Sequence, residues 1–82
     1  MGTAARIKPQ YLSKKLLAIR NGLNLSQTDI ARKLSDDKIV LRRSDIARFE
    51  IGLREPSLIV VWRYAQLAKI TIEMLVDDSV TL

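Results

Sequence analysis

The 82-residue chain contains no cysteine and no histidine. It therefore has no disulfide framework, no Cys/His zinc site, no thiol nucleophile and no imidazole for acid–base chemistry. Long hydrophobic runs are missing too, because the longest apolar stretch, residues 58–62, is far below the roughly 20 residues that span a bilayer. We expect a soluble protein that is not an enzyme and that binds no metal, no cofactor, no small-molecule ligand and no membrane.

The chain is long enough for one domain with a modest core and too short for two. Residues 1–5 lack the long apolar core of a signal peptide, which together with the missing cysteines predicts a cytoplasmic protein. We expect a single domain over residues 9–78, flanked by a flexible N-terminal tail of residues 1–8 and a C-terminal tail of residues 79–82.

Positive charge exceeds negative charge, with 14 Lys and Arg against nine Asp and Glu and a net charge of +5. All basic residues lie before residue 70, whereas the remainder of the chain carries only the acids Glu73, Asp77 and Asp78. A basic body attracts polyanions, and an acidic end is better placed away from phosphates. Composition therefore fits a nucleic-acid-binding protein, and it fits an ordinary basic soluble protein as well.

Apolar residues recur at helical spacing along most of the chain, without sustained alternation, which predicts an all-α fold of five helices. Pro9 is placed to open the first helix, over about residues 10–21, and Gly22 to take the left-handed conformation after it.

The second helix has the clearest start signal in the sequence. Ser26 is placed as its N-cap with Asp29 three positions later, and Leu25 and Ile30 are spaced as a hydrophobic staple. This helix is expected to end at Leu34.

Residues 35–38 are polar and predict a loop, and the apolar residues 39–41 predict a return of the chain to the core. A third helix is expected over about residues 43–51, ended by Gly52. Ser57 and Thr71 are placed as N-caps of a fourth helix and of a short fifth helix that ends near residue 77. The expected apolar face of the fourth helix comprises Leu58, Val61, Trp62, Ala65 and Ala68.

Two stretches, residues 23–34 and residues 46–57, together resemble the lambda-repressor-like (Cro/XRE) helix-turn-helix family. The shared features, in order, are a Leu-Ser-Gln helix start at residues 25–27, Ile46, Phe49, Glu50, Gly52 and the Pro-Ser pair at residues 56–57. The resemblance covers about residues 12–77. It implies a compact five-helix DNA-binding domain.

The resemblance also assigns roles to individual residues. It places the N-terminus of the second helix on a DNA phosphate through Ser26 and Gln27, because free backbone donors and the helix dipole favour an anion there. Gly52 and Arg54 match the segment after the third helix that meets phosphates in relatives. Arg20 and Glu50 match positions that form an ion pair between the first and third helices.

The third helix corresponds to the family's recognition helix, which reads bases in the major groove mainly through its first turn. The residues that match its reading positions are Arg42, Arg43, Ser44 and Arg48. An Arg side chain can bond two acceptors on a guanine edge. Arg42 is placed either to read a base or to hold a phosphate, and its position is also compatible with an ordinary solvated surface.

One departure from the family pattern lies between the second and third helices. About five extra residues fall within residues 35–41, and Ser35 stands where the turn usually has Gly. In this respect the chain resembles a small bacterial subgroup of regulators with a lengthened turn. The turn is also placed to bring Lys38 to DNA.

The leading hypothesis is a sequence-specific transcriptional regulator that binds double-stranded DNA. We expect it to act as a homodimer, because one reading helix covers too few base pairs for useful specificity. Relatives often pair through their last helices, which here contain Ile72, Leu75 and Val76, with Trp62 nearby. Ordinary core positions are the favoured interpretation of these four residues.

The alternative is a protein-interaction module of the same fold, such as an antitoxin or an adaptor. A large exposed apolar patch on the fourth or fifth helix would favour it, and the basic third helix argues against it. A metal-dependent enzyme would need one of the adjacent acid pairs, residues 36–37 or 77–78, as ligands. Acids in polar loops are usually solvated, and no other chemistry converges on these pairs.

Overall fold

The computed structural model describes residues 9–82, and this part of the chain forms five α-helices and no strand. The helices are α1 (Leu12–Gly22), α2 (Gln27–Leu34), α3 (Arg43–Glu50), α4 (Leu58–Ala68) and α5 (Ile72–Val76). The predicted all-α fold with five helices is confirmed. Residues 79–82 form no helix, and the expected tail of residues 1–8 lies outside the described range.

One hydrophobic core joins all five helices. Each helix contributes one side chain with no exposed surface, and these are Leu16, Ile30, Ile46, Tyr64 and Leu75 in helix order. α1 contacts α3, α4 and α5, whereas α2 packs on α3 and α4. The α2–α3 pair is therefore supported from behind by a scaffold of the other three helices.

Three of the helices begin at the predicted N-caps. The side-chain oxygen of each cap accepts a hydrogen bond from the backbone N–H three residues later, at 3.0 Å for Ser26 and at 3.3 Å for Ser57 and Thr71. An N-cap of this kind contributes about 1 kcal/mol to helix stability. The starts of α2, α4 and α5 are thus determined locally, as the sequence predicts.

The start of α1 is determined by a distant residue instead. The prediction that Pro9 opens this helix at residue 10 is wrong, because α1 begins at Leu12 and its N-cap, Tyr11, makes no side-chain cap. The carboxylate of Asp78 accepts hydrogen bonds from the backbone N–H groups of Gln10, at 3.0 Å, and Tyr11, at 3.3 Å. An anion from beyond α5 thus satisfies donors at the N-terminus of α1.

The end of α1 also differs from the prediction. Gly22 is the last residue of the helix, and the left-handed conformation falls on Asn24, whose φ is +56°. Asparagine tolerates this conformation because its short polar side chain bonds locally. The chain therefore turns two residues later than the glycine indicates.

A buried lysine on α1 holds the end of α5. The side chain of Lys15 is in the core, with only 6% of its surface exposed, and its Nζ donates to the backbone carbonyls of Met74 and Asp77, both at 2.8 Å. These carbonyls lie at the C-terminal end of a helix, where a cation is favourable. Lys15 and the carboxylate of Asp78 together fasten the two ends of the domain.

The apolar face of α4 is rotated from the predicted one. The buried positions are Val60, Val61, Tyr64 and Ala65, whereas Leu58 is 71% exposed and Trp62 is 48% exposed. The prediction is correct for Val61 and Ala65 and wrong for Leu58 and Trp62. A helix that is apolar on most sides does not by itself indicate which side will pack.

We predict that Tyr64→Phe stabilises the protein. The Tyr64 hydroxyl is buried and has no hydrogen-bond partner among residues 9–82, and burial raises the pKa of this hydroxyl because it disfavours the charged form. Removing an unsatisfied buried hydroxyl should raise the free energy of unfolding by about 1 kcal/mol, measured by urea titration. Tyr11→Phe is the control, because Tyr11 is 45% exposed and its substitution should leave stability unchanged. A less stable Tyr64→Phe variant would show that the hydroxyl is bonded in solution.

Candidate nucleic-acid interface

The N-terminus of α2 lies at the surface. Ser26 and Thr28 are exposed and Gln27 is half-buried, while Ile30 and Ala31 are buried against the rest of the domain. Ala31 keeps 3% of its surface exposed, and a residue this small permits two helices to approach closely. The sequence thus produces a helix whose first turn is free to meet a ligand while its later turns pack on α3.

The turn between α2 and α3, residues 35–42, is held by the side chain of Ser35. Its hydroxyl donates to the backbone carbonyl of Ala31 at 2.6 Å and accepts from the backbone N–H of Leu41 at 2.8 Å. Ile39 and Leu41 pack against the core, but Val40 between them is 71% exposed. The prediction that residues 39–41 all return to the core is therefore wrong for Val40, because burial alternates along this segment and its middle residue is turned to the surface.

The carboxylate of Asp36 ties the turn to α4. It accepts hydrogen bonds from the backbone N–H groups of Lys38 and Ile39, both at 2.8 Å, and from the Arg63 guanidinium at 2.6 Å. These hydrogen bonds lower the pKa of Asp36 to about 2. The bond from Ile39 contributes most, followed by those from Arg63 and Lys38. Arg63 also donates to the backbone carbonyl of Leu34 at the end of α2. Asp36 is therefore a structural residue that fixes the path of the turn.

α3 has one buried face and one basic face. Ile46 and Phe49 are buried, whereas the four residues predicted to read bases are all exposed: Arg42, Arg43, Ser44 and Arg48. Residues four apart in a helix share a face, so Ser44 and Arg48 point in the same direction. Ser44 and Arg48 thus share one exposed face of α3, whereas Arg42 and Arg43 are exposed at the start of the helix and Arg43 is turned away from Arg48.

Arg20 and Glu50 form a partly buried ion pair that joins α1 to the end of α3. Arg20 Nε lies 2.6 Å from Glu50 Oε2, and Arg20 Nη2 lies 3.0 Å from Oε1. The Glu50 side chain is 4% exposed, and its hydrogen bonds to Arg20 raise the pKa of that guanidinium. Gln27 donates its amide to Glu50 at 3.1 Å, so a residue expected at a phosphate also belongs to this network.

Arg54 lies next to the first turn of α3. Its Nη1 is 2.7 Å from Asp45 Oδ1, and its guanidinium lies over the Phe49 ring at 5.7 Å. The second oxygen of Asp45 accepts the backbone N–H of Arg42. Gly52, with φ +75°, allows the sharp turn that brings Arg54 back toward α3. The Asp45 carboxylate therefore positions Arg54, the residue expected to contact a phosphate.

The sequence predictions missed the roles of Asp45 and Arg63. Asp45 accepts the backbone N–H of Arg42, which is half of a capping box, but an arginine at the N-cap position offers no side-chain acceptor and hides the usual Ser/Thr signature. Arg63 carries no such local signal, because its partners lie 27 and 29 residues away in the chain. Its role depends on how α4 packs behind the turn.

A family model described as helix-turn-helix matches residues 16–75, most of the chain and all of α2, α3 and α4. The protein belongs to this lambda-repressor-like helix-turn-helix family, a family of DNA-binding transcription regulators that are not typically enzymes. No curated protein was found to match the chain. In residues 9–82 no helix is long and apolar enough to cross a membrane, and no group of three or more acidic side chains is arranged to hold a metal.

We predict that Arg20→Met destabilises the domain. The substitution leaves the Glu50 carboxylate buried without its main partner, which should cost about 3 kcal/mol in the free energy of unfolding, measured by urea titration. Arg32→Met is the matched control, because the Arg32 side chain is 77% exposed and lies 4.0 Å from Asp29. Equal losses in the two variants would contradict a special role for the buried pair.

Proposed function

We propose that the protein is a sequence-specific regulator that binds double-stranded DNA with α3 in the major groove. The observation that supports this most is the exposed basic side of α3, where Ser44 and Arg48 share a face and Arg42 and Arg43 are exposed at the helix start, with α2 packed on α3. An α-helix fits the major groove, and Arg side chains can bond the O6 and N7 atoms of guanine there. The family to which the chain belongs supports the same ligand.

Phosphate contacts would position this reading face. The first turn of α2, with Ser26 and Gln27, offers backbone donors at the positive end of a helix dipole. Gly52 and Arg54 flank the other end of α3. To contact a phosphate, the Arg54 guanidinium must share its donors with Asp45 or leave it. These contacts fix orientation and carry no base information themselves.

Selection of bound sequences from a random duplex pool tests the proposal directly. A preferred site should emerge, and binding to it should weaken steeply with salt because phosphate contacts release counterions. Binding with no preference among sequences would contradict the sequence-specific part of the proposal. Absence of duplex binding at low salt would contradict all of it.

We predict that Arg43→Ala and Arg48→Ala reduce the preference for the selected site. Losing a bidentate guanine contact should narrow the affinity ratio between the selected duplex and a scrambled one by about tenfold. Arg54→Ala should instead weaken both duplexes alike and lower the salt slope by about one. Lys14→Ala is the control, because it removes the same single positive charge from α1, where Lys14 lies over the Tyr11 ring, and leaves α3 unchanged. Equal weakening of both duplexes by Arg43→Ala, Arg48→Ala and Arg54→Ala would contradict the base-reading assignment.

We further propose that the protein binds DNA as a homodimer through the outer face of α4. Leu58, Ile59 and Trp62 are 71%, 48% and 48% exposed and lie within one and a half turns of the helix. The core interpretation favoured from the sequence is correct for Leu75, which is fully buried, and for Ile72, which packs against the core, and it is wrong for Trp62 and for Val76, which is 41% exposed. A second copy would cover the apolar face and supply a second reading helix for a two-part site.

We predict that Trp62→Glu shifts the protein toward monomer, since a charge at the centre of an apolar interface opposes association. Sedimentation equilibrium should show the shift, and affinity should fall for a duplex with two half-sites while remaining unchanged for one half-site. Leu82→Glu is the control, because Leu82 is 45% exposed and lies outside α4. A wild-type chain that remains monomeric on its two-part site would contradict the dimer.

The same apolar face supports a second candidate, a protein-interaction module such as an antitoxin or an adaptor. Exposed apolar patches on small domains often mark protein contacts. The basic face of α3 favours DNA, and the random duplex selection separates the two candidates. A chain that binds no duplex and stays monomeric with Trp62 exposed would favour the interaction module.

A further inference from the structure

A groove of about 280 Å³ lies between α2 and the start of α3, and Arg42 and Arg43 at the start of α3 are among its lining residues. Its apolar wall is formed by Ala31, Val40 and Leu41, and its other lining residues include three arginines, Arg32, Arg42 and Arg43. Val40 takes no part in the core or in the contacts described above. It is the apolar residue most exposed to a ligand that enters this groove, with 71% of its surface accessible.

The backbone on both sides of Val40 is fixed. Ile39 exchanges hydrogen bonds with Asp36, giving its N–H to the carboxylate and accepting the Asp36 N–H, both at 2.8 Å. The N–H of Leu41 is bonded to Ser35. Valine has a branched Cβ and few accessible rotamers, so little conformational freedom remains to be lost when its methyl groups are covered.

We propose that Val40 contacts the C5-methyl group of a thymine in the bound duplex, and that the lengthened turn exists to present it. The inference rests on the proposed function. Thymine is the base that carries a methyl group at the major-groove edge, and an apolar side chain recognises it by excluding water from both surfaces. The three arginines around the groove complement the charge of nucleic acid, which identifies a duplex as the occupant.

The proposal adds a second type of recognition to that of the arginines. Arg42 and Arg43 precede or begin α3 and offer hydrogen bonds, whereas Val40, two residues before Arg42, offers only apolar surface. The lengthened turn would therefore read a thymine next to the bases contacted by the start of α3.

Replacing thymine by deoxyuridine tests the proposal, because it preserves base pairing and removes only the methyl group. The full chain is titrated with its selected duplex and with duplexes in which each thymine in turn is replaced. At one thymine per half-site, loss of the methyl group should weaken binding of the wild-type protein about fourfold. This is the affinity ratio that corresponds to the free energy of burying one methyl or methylene group. In Val40→Ala the same replacement should change affinity by less than about twofold, since the two changes remove the same contact.

Two controls accompany this measurement. Val40→Ala should unfold at the same temperature as wild type, because the removed methyl groups are exposed. Leu82→Ala, which removes an exposed apolar side chain elsewhere, should keep the full sensitivity to deoxyuridine.

Two results would overturn this inference while leaving the proposed function intact. One is a Val40→Ala variant that weakens thymine and deoxyuridine duplexes by the same factor, which would place Val40 on the sugar–phosphate backbone or in a structural role. The other is a preferred site in which no thymine responds to the replacement. A chain that selects no duplex overturns the inference and the proposed function together.

Discussion

The buried carboxylate of Glu50 is the interaction on which the arrangement of α1, α2 and α3 depends. It accepts two hydrogen bonds from Arg20 and one from Gln27, and Arg20 also bonds the backbone carbonyl of Leu25 just before α2. A carboxylate that is 4% exposed is costly unless nearly all its acceptor sites are used. The three helices therefore take the one relative placement in which these groups meet, and the basic face of α3 is presented from that placement.

A second polar network performs the same task at the other end of the α2–α3 pair. Ser35 and Asp36 use their side chains to bond backbone groups inside the turn, and Arg63 anchors this turn to α4. The turn is thereby an ordered element despite its length and its lack of helix or strand. Its order explains how eight residues can separate α2 from α3 while the start of α3 keeps a fixed position.

Much of the fold was predictable because its signals are local. The N-caps of α2, α4 and α5 need only a hydroxyl followed by a free N–H three residues later, and the five-helix pattern follows from apolar spacing. The positions of Arg20 and Glu50 came from family resemblance, and the structure brings them into contact. The roles of the base-reading and phosphate residues remain predictions, since they concern a ligand.

Several of the missed features depend on how distant parts of the chain pack together. Trp62 and Tyr64 are both large aromatic residues on α4, and only the docking of that helix decides that the tyrosine is inside. A run of three apolar residues predicts a return to the core and does not reveal that its middle member, Val40, is turned to the surface. Lysine is rarely buried, so nothing in the sequence marks Lys15 as an inward-facing residue.

The link between the ends of the domain has a consequence for how the chain folds. The bonds from Lys15 and Asp78 connect residues 59 to 68 positions apart, so they close nearly the whole chain into a loop. Closing so long a loop costs conformational entropy that these few bonds do not recover unless the intervening helices are already packed. α5 packs on its sequence neighbour α4 without closing this loop, so we expect only its link to α1 to form late, and once made this link hinders both ends from fraying. The acidic end of the sequence thus contributes to cooperativity, because neither terminal helix can detach without exposing the partner of the other.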